Sequence, residues 1–307
     1  MSTASEGQFK HGDATFYSKT WTPEGPIVAK VVYVHGFSEH VNCYNEFFPK
    51  IADKGIQVLS WDQRGWGRSV TKPSEKGLTG PTSQVIADVA AFITEKLPAK
   101  DDASAVPIFV MGHSMGGGEV LTLAGDPQYA QLVSQIRGWI VECPFVGFTP
   151  GEEPSSFKIF AGRLAGRVLP KFQLKHVIPL EYLTRDEAVV QAIRDDPLCH
   201  DTGTLEGLAS LLDRTAHLSS SQFQLGKQVQ SLLLLHGSGD RVCSYDAAVH
   251  LVEQQSNIQD KTVKTYPGAY HQLHTDLCKD EYAKDLVEWI LQHSSENTVN
   301  DSPAPKL

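Results

Sequence analysis

Cysteine is scarce in this chain, and its few cysteines show no spacing typical of a metal site. The 307 residues include five of them: Cys43, Cys143, Cys199, Cys243 and Cys278. None belongs to a Cys-x-x-Cys pair, and their number is odd. Together with the lack of an apolar N-terminal signal, this pattern favours reduced thiols inside a cell over a disulfide framework. We therefore expect no metal ion and no cofactor.

Long apolar runs and an excess of positive charge are also lacking. The longest uninterrupted aliphatic run, Leu232 to Leu235, is far too short to span a membrane. A formal net charge of −9 argues against nucleic acid as a partner. The rest of the composition is that of an ordinary globular chain, so we expect any membrane contact to be peripheral.

Short apolar runs alternate with helix-like segments along most of the chain. This alternation predicts a mostly parallel central sheet flanked by helices, which is the α/β class. The polar end segments 1–12 and 294–307 are expected to be a loose arm and a disordered tail. The predicted strands are 27–34, 56–61, 107–111, 135–143, 232–236 and 262–266.

Residues 145–225 interrupt this alternation, because they are helix-prone and contain no clear buried strand. We expect a core of 1–144 and 226–293, with 145–225 inserted as a helical cap. Residues 155–175 combine apolar side chains at helical spacing with basic side chains and no acid, which predicts peripheral contact with an anionic lipid surface. The alternative is a cap helix that packs its apolar face on the core. The apolar residues are Phe157, Phe160, Leu164 and Val168, and the basic ones are Lys158, Arg163, Arg167, Lys171 and Lys175.

The most informative motif is Gly112-His113-Ser114-Met115-Gly116. It follows the apolar run 107–111 and precedes a helix-like segment. In that context Gly-x-Ser-x-Gly is typical of a nucleophile elbow, a tight strand-to-helix turn that exposes one serine hydroxyl. The motif predicts Ser114 as the nucleophile of an α/β-hydrolase fold.

A serine nucleophile needs a base, and the base needs an acid that orients it. In this fold the chain order is serine, then acid, then histidine. Asp240 and His271 satisfy that order, and each follows a predicted strand whose carboxyl end faces the same edge of the sheet. We therefore predict Ser114, Asp240 and His271 as a catalytic triad. His274 is the rival base and is otherwise expected to be a residue of the pocket.

Acyl transfer also needs donors for the oxyanion of its tetrahedral intermediate. In this fold one donor is the backbone N–H after the nucleophile, which is Met115 here. The other comes from the loop after an early strand, and we predict the N–H of Phe37, positioned by Gly36.

Five motifs spread along the chain carry a family resemblance. They are HGFSEH (35–40), DQRGWGRS (62–69), GHSMGG (112–117), GSGDRVC (237–243) and GAYHQLH (268–274). Together they resemble the monoacylglycerol lipases of the α/β-hydrolase fold, and SFK at 156–158 and DPL at 196–198 are similar to that family's lid. The resemblance implies hydrolysis of a monoacylglycerol to glycerol and a fatty acid. It also implies an apolar acyl channel under the cap and peripheral membrane attachment through the cap.

The resemblance further implies residues that bind the substrate. Glu39 and His274 match positions that contact the glycerol group in relatives, where hydroxyls need polar partners beside an apolar tunnel. Cys243 matches a thiol near the active site in relatives, although a small buried filler has the same appearance in a sequence.

One position departs from the family pattern. Relatives have an arginine shortly after the Glu39-His40 pair, and this chain has Cys43 there, or Asn42 one step away. Glu39 then either lacks a charged partner or finds one in Arg64 or Arg241.

Other functions fit the same residues. The triad can hydrolyse a lysophospholipid, a short ester or a thioester, because specificity depends on the cap. The related serine aminopeptidases cleave amides, although the aromatic-rich cap argues against a pocket for a free amine. An alternative of another class is a non-catalytic lipid receptor on this scaffold.

The expected location is cytoplasmic, peripheral on a membrane or lipid droplet. The terminal Pro305-Lys306-Leu307 differs by one residue from the Ser-Lys-Leu peroxisomal signal, which makes a peroxisomal location the alternative. The sequence does not define an oligomeric state.

Overall fold

A computed structural model describes residues 1–99, 102, 104–153 and 155–295 of the chain. The side chains of Phe157, Lys158 and Phe160 and the terminal Pro305-Lys306-Leu307 lie outside the described residues. The strands are β1 (Ser2–His11), β2 (Ala14–Pro23), β3 (Ala29–Val34), β4 (Ile56–Trp61), β5 (Ile108–His113), β6 (Gly138–Glu142), β7 (Gln173–Lys175), β8 (Thr202–Thr204), β9 (Ser231–Gly237) and β10 (Asp260–Tyr266).

The α-helices connect these strands and cover the sheet. They are α1 (Phe48–Ala52), α2 (Thr82–Lys96), α3 (Met115–Gly125), α4 (Ala130–Val133), α5 (Ser156–Val168), α6 (Glu187–Asp195), α7 (Leu205–Leu218), α8 (Tyr245–Glu253) and α9 (Lys279–Ser295). Helix α9 thus continues two residues beyond the predicted end of the core at 293.

An eight-stranded sheet runs in the order β1-β2-β4-β3-β5-β6-β9-β10. The strands from β4 to β10 in this order pair in parallel, whereas β1 with β2 and β2 with β4 pair antiparallel. The predicted α/β-hydrolase architecture with a mostly parallel sheet is therefore confirmed. Because both faces are covered, successive residues of β3 such as Val31 and Val32 are both buried, on opposite faces.

The prediction of a loose arm at 1–12 is wrong. Residues Ser2–His11 pair in register with β2, and Phe9 is buried against Phe16. The turn is Gly12-Asp13, where Gly12 has a φ of +59°. A Gly-Asp pair between two strand-like runs is a hairpin signal, and the polar composition of the arm obscured it.

The segment between β6 and β9 contributes no strand to the main sheet. It contains α5, α6, α7 and a two-stranded sheet of β7 and β8, two short strands that the sequence did not reveal. A buried ion pair joins it to the core, because Arg214 Nη2 lies 3.2 Å from Glu119 Oε1. Arg185 binds the buried Asp276 carboxylate on the other side. None of the described helices is long and apolar enough to cross a membrane.

Candidate active site

Ser114 occupies the turn between β5 and α3 in a strained backbone conformation. Its φ is +52° and its ψ is −117°, which is rare for a residue with a Cβ. The flanking glycines make the turn possible: a Cβ on Gly112 would collide with the Gly116 carbonyl, and one on Gly116 would collide with the Val34 carbonyl. This is the geometry that a nucleophile elbow requires.

Asp240 and His271 are joined by a short hydrogen bond. The Nδ1–H of His271 donates to Asp240 Oδ2 over 2.8 Å, and the side chains of both residues are buried. His236 Nε2 donates to the same oxygen over 3.1 Å. The backbone N–H groups of Val242 and Cys243 donate to Oδ1 over 2.7 and 3.0 Å. The Asp240 carboxylate therefore accepts four hydrogen bonds, two at each oxygen.

These contacts keep Asp240 ionised. Burial by itself would raise the pKa of this carboxyl, but the His271 and His236 rings outweigh burial and hold it well below its usual range. An ionised acid at this position fixes the His271 tautomer with its proton on Nδ1, which leaves Nε2 as the basic nitrogen.

Ser114 and His271 line the same cavity, and Ser114 is 8% exposed. No hydrogen bond joins these two described side chains; Ser114 Oγ lies 3.9 Å from Cys243 Sγ instead. Catalytic hydrogen bonds are often long in ligand-free enzymes and tighten when the substrate binds. Burial raises the pKa of the Cys243 thiol well above its usual value, so it stays protonated beside the serine.

The N–H groups of Phe37 and Met115 donate to no other described residue. Met115 is the first residue of α3, where the helix dipole favours negative charge. Phe37, Met115 and Ser114 line one common cavity. The two predicted oxyanion donors therefore lie around the same space as the serine.

Glu39 is buried and accepts four hydrogen bonds. The donors are the N–H of Gly36 (2.7 Å), the Tyr44 hydroxyl (2.5 Å), the His113 ring (3.1 Å) and the Gln272 amide (2.7 Å). Burial opposes ionisation, but His113 holds the pKa of Glu39 well below its usual range. Glu39 thus braces the loop that carries Phe37, in addition to lining a cavity.

His274 forms a different buried contact from His271. Its Nδ1 lies 2.9 Å from Glu142 Oε1, and Tyr282 donates to the other oxygen of Glu142 over 2.8 Å. Its Nε2 has no hydrogen-bond partner among the described residues, and His274 lines the same cavity as Ser114. The rival base therefore has a glutamate partner and no contact with Asp240 in this structure.

The arginines considered as partners of Glu39 lie elsewhere. Arg64 Nε lies 2.7 Å from Asp88 Oδ2, and the Arg241 guanidinium lies 3.6 Å from the centre of the Tyr182 ring. The buried cation beside Glu39 is His113, the second residue of the elbow motif. Burial by itself would lower the pKa of His113, but the Glu39 and Glu142 carboxylates outweigh burial and raise it to about 9.

Sequence reasoning missed this network around the predicted site. Gln272, Tyr44, Glu142 and His236 all contact predicted site residues, and none was singled out. Gln272 lies inside one of the five motifs and His236 directly precedes another, so the motifs point to both. Glu142 and Tyr44 lie outside the motifs, and no pattern in the sequence marks them.

Two cavities meet at Ser114 and Phe37. The first, of about 310 Å³, has a polar floor from the core and an apolar roof from the segment 178–193; we call it the polar-floored cavity. The second, the apolar cavity, measures about 490 Å³. The floor of the first includes Glu39, Asn42, Asn45, Glu46 and His274, and the walls of the second include Phe145, Phe148, Val177, Leu205, Leu208 and Leu212.

This sheet, with its serine elbow and the acid–imidazole pair beside it, defines the chain as an α/β-hydrolase. A family profile described as "Serine aminopeptidase, S33" matches residues 25–277. A Schizosaccharomyces pombe relative is 35% identical over 288 residues, covering 92% of this chain and 72% of that protein. "Monoglyceride lipase" of Mus musculus is 32% identical over 267 residues, covering 85% and 81%. "Monoglyceride lipase" of Homo sapiens is 30% identical over 287 residues, covering 91% and 88%.

A solved structure agrees at the level of the fold. A soluble variant of the monoglyceride lipase from Saccharomyces cerevisiae, in complex with a substrate analogue, superposes with a TM-score of 0.82. It is 21% identical, and the match covers 95% of this chain and 97% of that one. The chain belongs to the monoacylglycerol lipase family of α/β-hydrolases, which confirms the resemblance seen in the motifs.

Proposed function

We propose that this enzyme hydrolyses monoacylglycerols to glycerol and a free fatty acid. The observation that carries the proposal is the meeting of two unlike cavities at Ser114. An ester with one long acyl chain and one small polyol has an apolar group on one side of its carbonyl and a polar group on the other. The apolar cavity suits the chain, and the floor of the other suits the hydroxyls. The relatives named monoglyceride lipases support the same substrate.

The reaction is a two-step acyl transfer. His271 removes the proton of Ser114 as its oxygen attacks the ester carbonyl, and Asp240 stabilises the imidazolium. The N–H groups of Phe37 and Met115 bind the oxyanion. His271 then gives the proton to the departing glycerol. Water attacks the acyl-enzyme in the same way and releases the fatty acid.

Glu39 and His274 act at the glycerol side of the ester. Nε2 of His274 is buried and has no hydrogen-bond partner among the described residues, so a glycerol hydroxyl that reaches it from the cavity would satisfy it. Glu39 already accepts four hydrogen bonds, so its contribution to binding is mainly to fix the loop and the Gln272 amide. We therefore propose that His274 contacts the glycerol directly and that Glu39 acts through the loop, whereas the family resemblance implies a direct contact by both residues.

The segment 145–225 serves as the cap and as the surface that meets lipid. Several large apolar side chains on it are exposed, and Arg167, Lys171 and Lys175 lie among them in sequence. Arg163 is paired with Asp213 over 2.5 Å and contributes less to an anionic surface. A lipid interface covers apolar side chains that water leaves exposed. The exposed side chains include Leu164, Val168, Leu169, Phe172 and Val177.

A substrate panel tests the proposed reaction. We expect 1- and 2-monoacylglycerols to exceed lysophospholipids, diacylglycerols and aminoacyl amides in kcat/KM. Ser114→Ala should keep the fold and lose roughly 10⁴-fold or more in turnover. Ser74→Ala, a change at an exposed serine, is the matched control. Preference for an amide, or substantial esterase activity in Ser114→Ala, would overturn the proposal.

Vesicle sedimentation tests the lipid surface. Val168→Glu and Phe172→Glu should weaken binding to anionic vesicles, because each buries a charge at the interface. Val263→Glu, at an exposed valine of β10, is the control and should bind as the parent protein does. Equal binding by all four proteins would contradict this role of the cap.

A further inference from the structure

Two cysteines far apart in the chain meet at the wall of the polar-floored cavity. Cys43 follows β3 in the core and Cys199 follows α6 in the cap segment, and their Sγ atoms lie 3.8 Å apart. Zinc–sulfur bonds of about 2.3 Å in a tetrahedral site place two sulfurs roughly 3.8 Å apart. The spacing of the two thiols is therefore already that of a shared tetrahedral metal ion.

A histidine completes the set of donors. The ligating atoms of His40, Cys43 and Cys199 all lie within 4.8 Å of one another. The Nε2–H of His40 donates to Asp196 Oδ2 over 2.8 Å. Its Nδ1 accepts a long hydrogen bond of 3.3 Å from the Asn42 N–H, and a metal ion bound at Nδ1 would replace that bond. Zinc-binding histidines commonly have their other ring nitrogen held by a carboxylate in this way.

The position of the cluster sets it apart from other groups of potential ligands. In the described residues three other such clusters occur, and each includes Glu142 or Asp240 of the hydrogen-bonded network around Ser114 and His271. The cluster of His40 contains neither. Cys43 and Cys199 line the cavity, so water can approach as a fourth ligand.

We propose that His40, Cys43 and Cys199 form a Zn²⁺ site, with Asp196 as the carboxylate that orients His40. Two thiolates and an imidazole are ligands that select zinc over magnesium or calcium. Binding displaces one proton from each thiol and leaves the sulfurs bonded to the metal. Because Cys43 belongs to the core and Cys199 to the cap segment, the ion clamps the two together beside the cavity.

Metal binding to the full chain tests the site directly. Reduced, metal-free protein is incubated with Zn²⁺, desalted and analysed for bound zinc, and Co²⁺ is used in parallel as a spectroscopic probe. We expect one zinc per chain and a thiolate-to-cobalt charge-transfer band in the near ultraviolet. Cys43→Ser and Cys199→Ser should each abolish the band, and Asp196→Asn should weaken binding roughly 10–100-fold. Cys278→Ser, at a free cysteine outside the cluster, should bind as the parent does.

Other results would overturn the site. These are absence of stoichiometric zinc in the reduced parent protein, or a cobalt complex without the thiolate band. Zinc binding by Cys43→Ser and Cys199→Ser at the level of the parent protein, with folding verified by circular dichroism, would also overturn it. The site would also be overturned if the parent protein contains a Cys43–Cys199 disulfide and binds no metal after that disulfide is reduced. None of these readouts depends on esterase activity, so failure of the proposed reaction leaves them unaffected.

Discussion

The two cavities that meet at Ser114 both have walls from the core and from segment 145–225, but in different proportions. The floor of the polar-floored cavity belongs to core loops, and Glu39 and His274 there are locked by buried hydrogen bonds. The walls of the apolar cavity come largely from segment 145–225, where Val177 is 65% exposed. Under the proposed function, recognition of the polar group depends on the same core loops as Ser114 and His271, whereas selection of the acyl chain depends mainly on segment 145–225.

Asp240 is buried behind His271 and lines neither cavity, and its substitution gives the largest expected effect. Asp240→Asn should lower kcat roughly 10⁴-fold, because the imidazolium loses its carboxylate and His271 its tautomer. The loss should be equal for a long-chain monoacylglycerol and a short soluble ester, and steady-state kinetics on both substrates measures it. A loss confined to one substrate would place Asp240 in recognition instead of chemistry.

A substitution of His113 tests the buried hydrogen-bond network under the polar-floored cavity. Its pKa is raised to about 9, above the value near 6.5 of an unfolded chain. Its contribution to stability is therefore full below pH 6.5 and is lost as the pH rises through 9. The contribution is on the order of 3 kcal/mol.

Urea unfolding across this pH range checks the effect. His113→Gln should be less stable than the parent at neutral pH and should lose less free energy of unfolding between pH 6.5 and pH 9. Parallel pH profiles for the two proteins would show that the buried Glu39–His113 contact is not ionised.

Leu212→Trp tests the apolar cavity. A larger ring on α7 fills part of that space, so kcat/KM for long-chain monoacylglycerols should fall roughly tenfold to a hundredfold. A short-chain ester should be hydrolysed at the parent rate, which also controls for folding. An unchanged preference for long chains would mean that the acyl chain lies elsewhere.

His274→Asn gives the smallest predicted effect and tests the polar floor. We expect a roughly tenfold loss of kcat/KM for a monoacylglycerol relative to the methyl ester of the same fatty acid, because one hydrogen bond to glycerol is lost. The ratio is the measurement, since damage to Glu142 or to the fold lowers both rates alike. An unchanged ratio would remove His274 from glycerol binding.

The sequence predicted the α/β-hydrolase fold and the family, because strand runs and five motifs are local signals. It also predicted Ser114, Asp240 and His271: Ser114 and His271 line one cavity, and Asp240 is hydrogen-bonded to His271. It failed for segment 1–12, where the hairpin depends on pairing with β2 and on burial of Phe9. Pairing of that kind depends on register with a partner strand, which composition alone does not show.

The other features that the sequence did not predict depend on contacts between residues far apart in the chain. Cys43 and Cys199 show no ligand spacing because 156 positions separate them, and only the fold of the segment between β6 and β9 brings them together. The sequence suggested arginines as partners of Glu39, whereas the structure has His113 there, whose pKa the Glu39 and Glu142 carboxylates raise against the effect of burial. Burial and long-range proximity are properties of the fold that spacing in a single sequence does not carry.

The most direct measurement is a crystal structure of the enzyme with a long-chain alkylphosphonate bonded to Ser114. This adduct has the tetrahedral geometry of the acyl-transfer intermediate and keeps the chain in place. We predict that the alkyl chain lies in the apolar cavity against Leu205 and Leu212, with the phosphonyl oxygen at the N–H groups of Phe37 and Met115. An alkyl chain extending over Asn45 and Glu46 would contradict the division of the site into a polar and an apolar side.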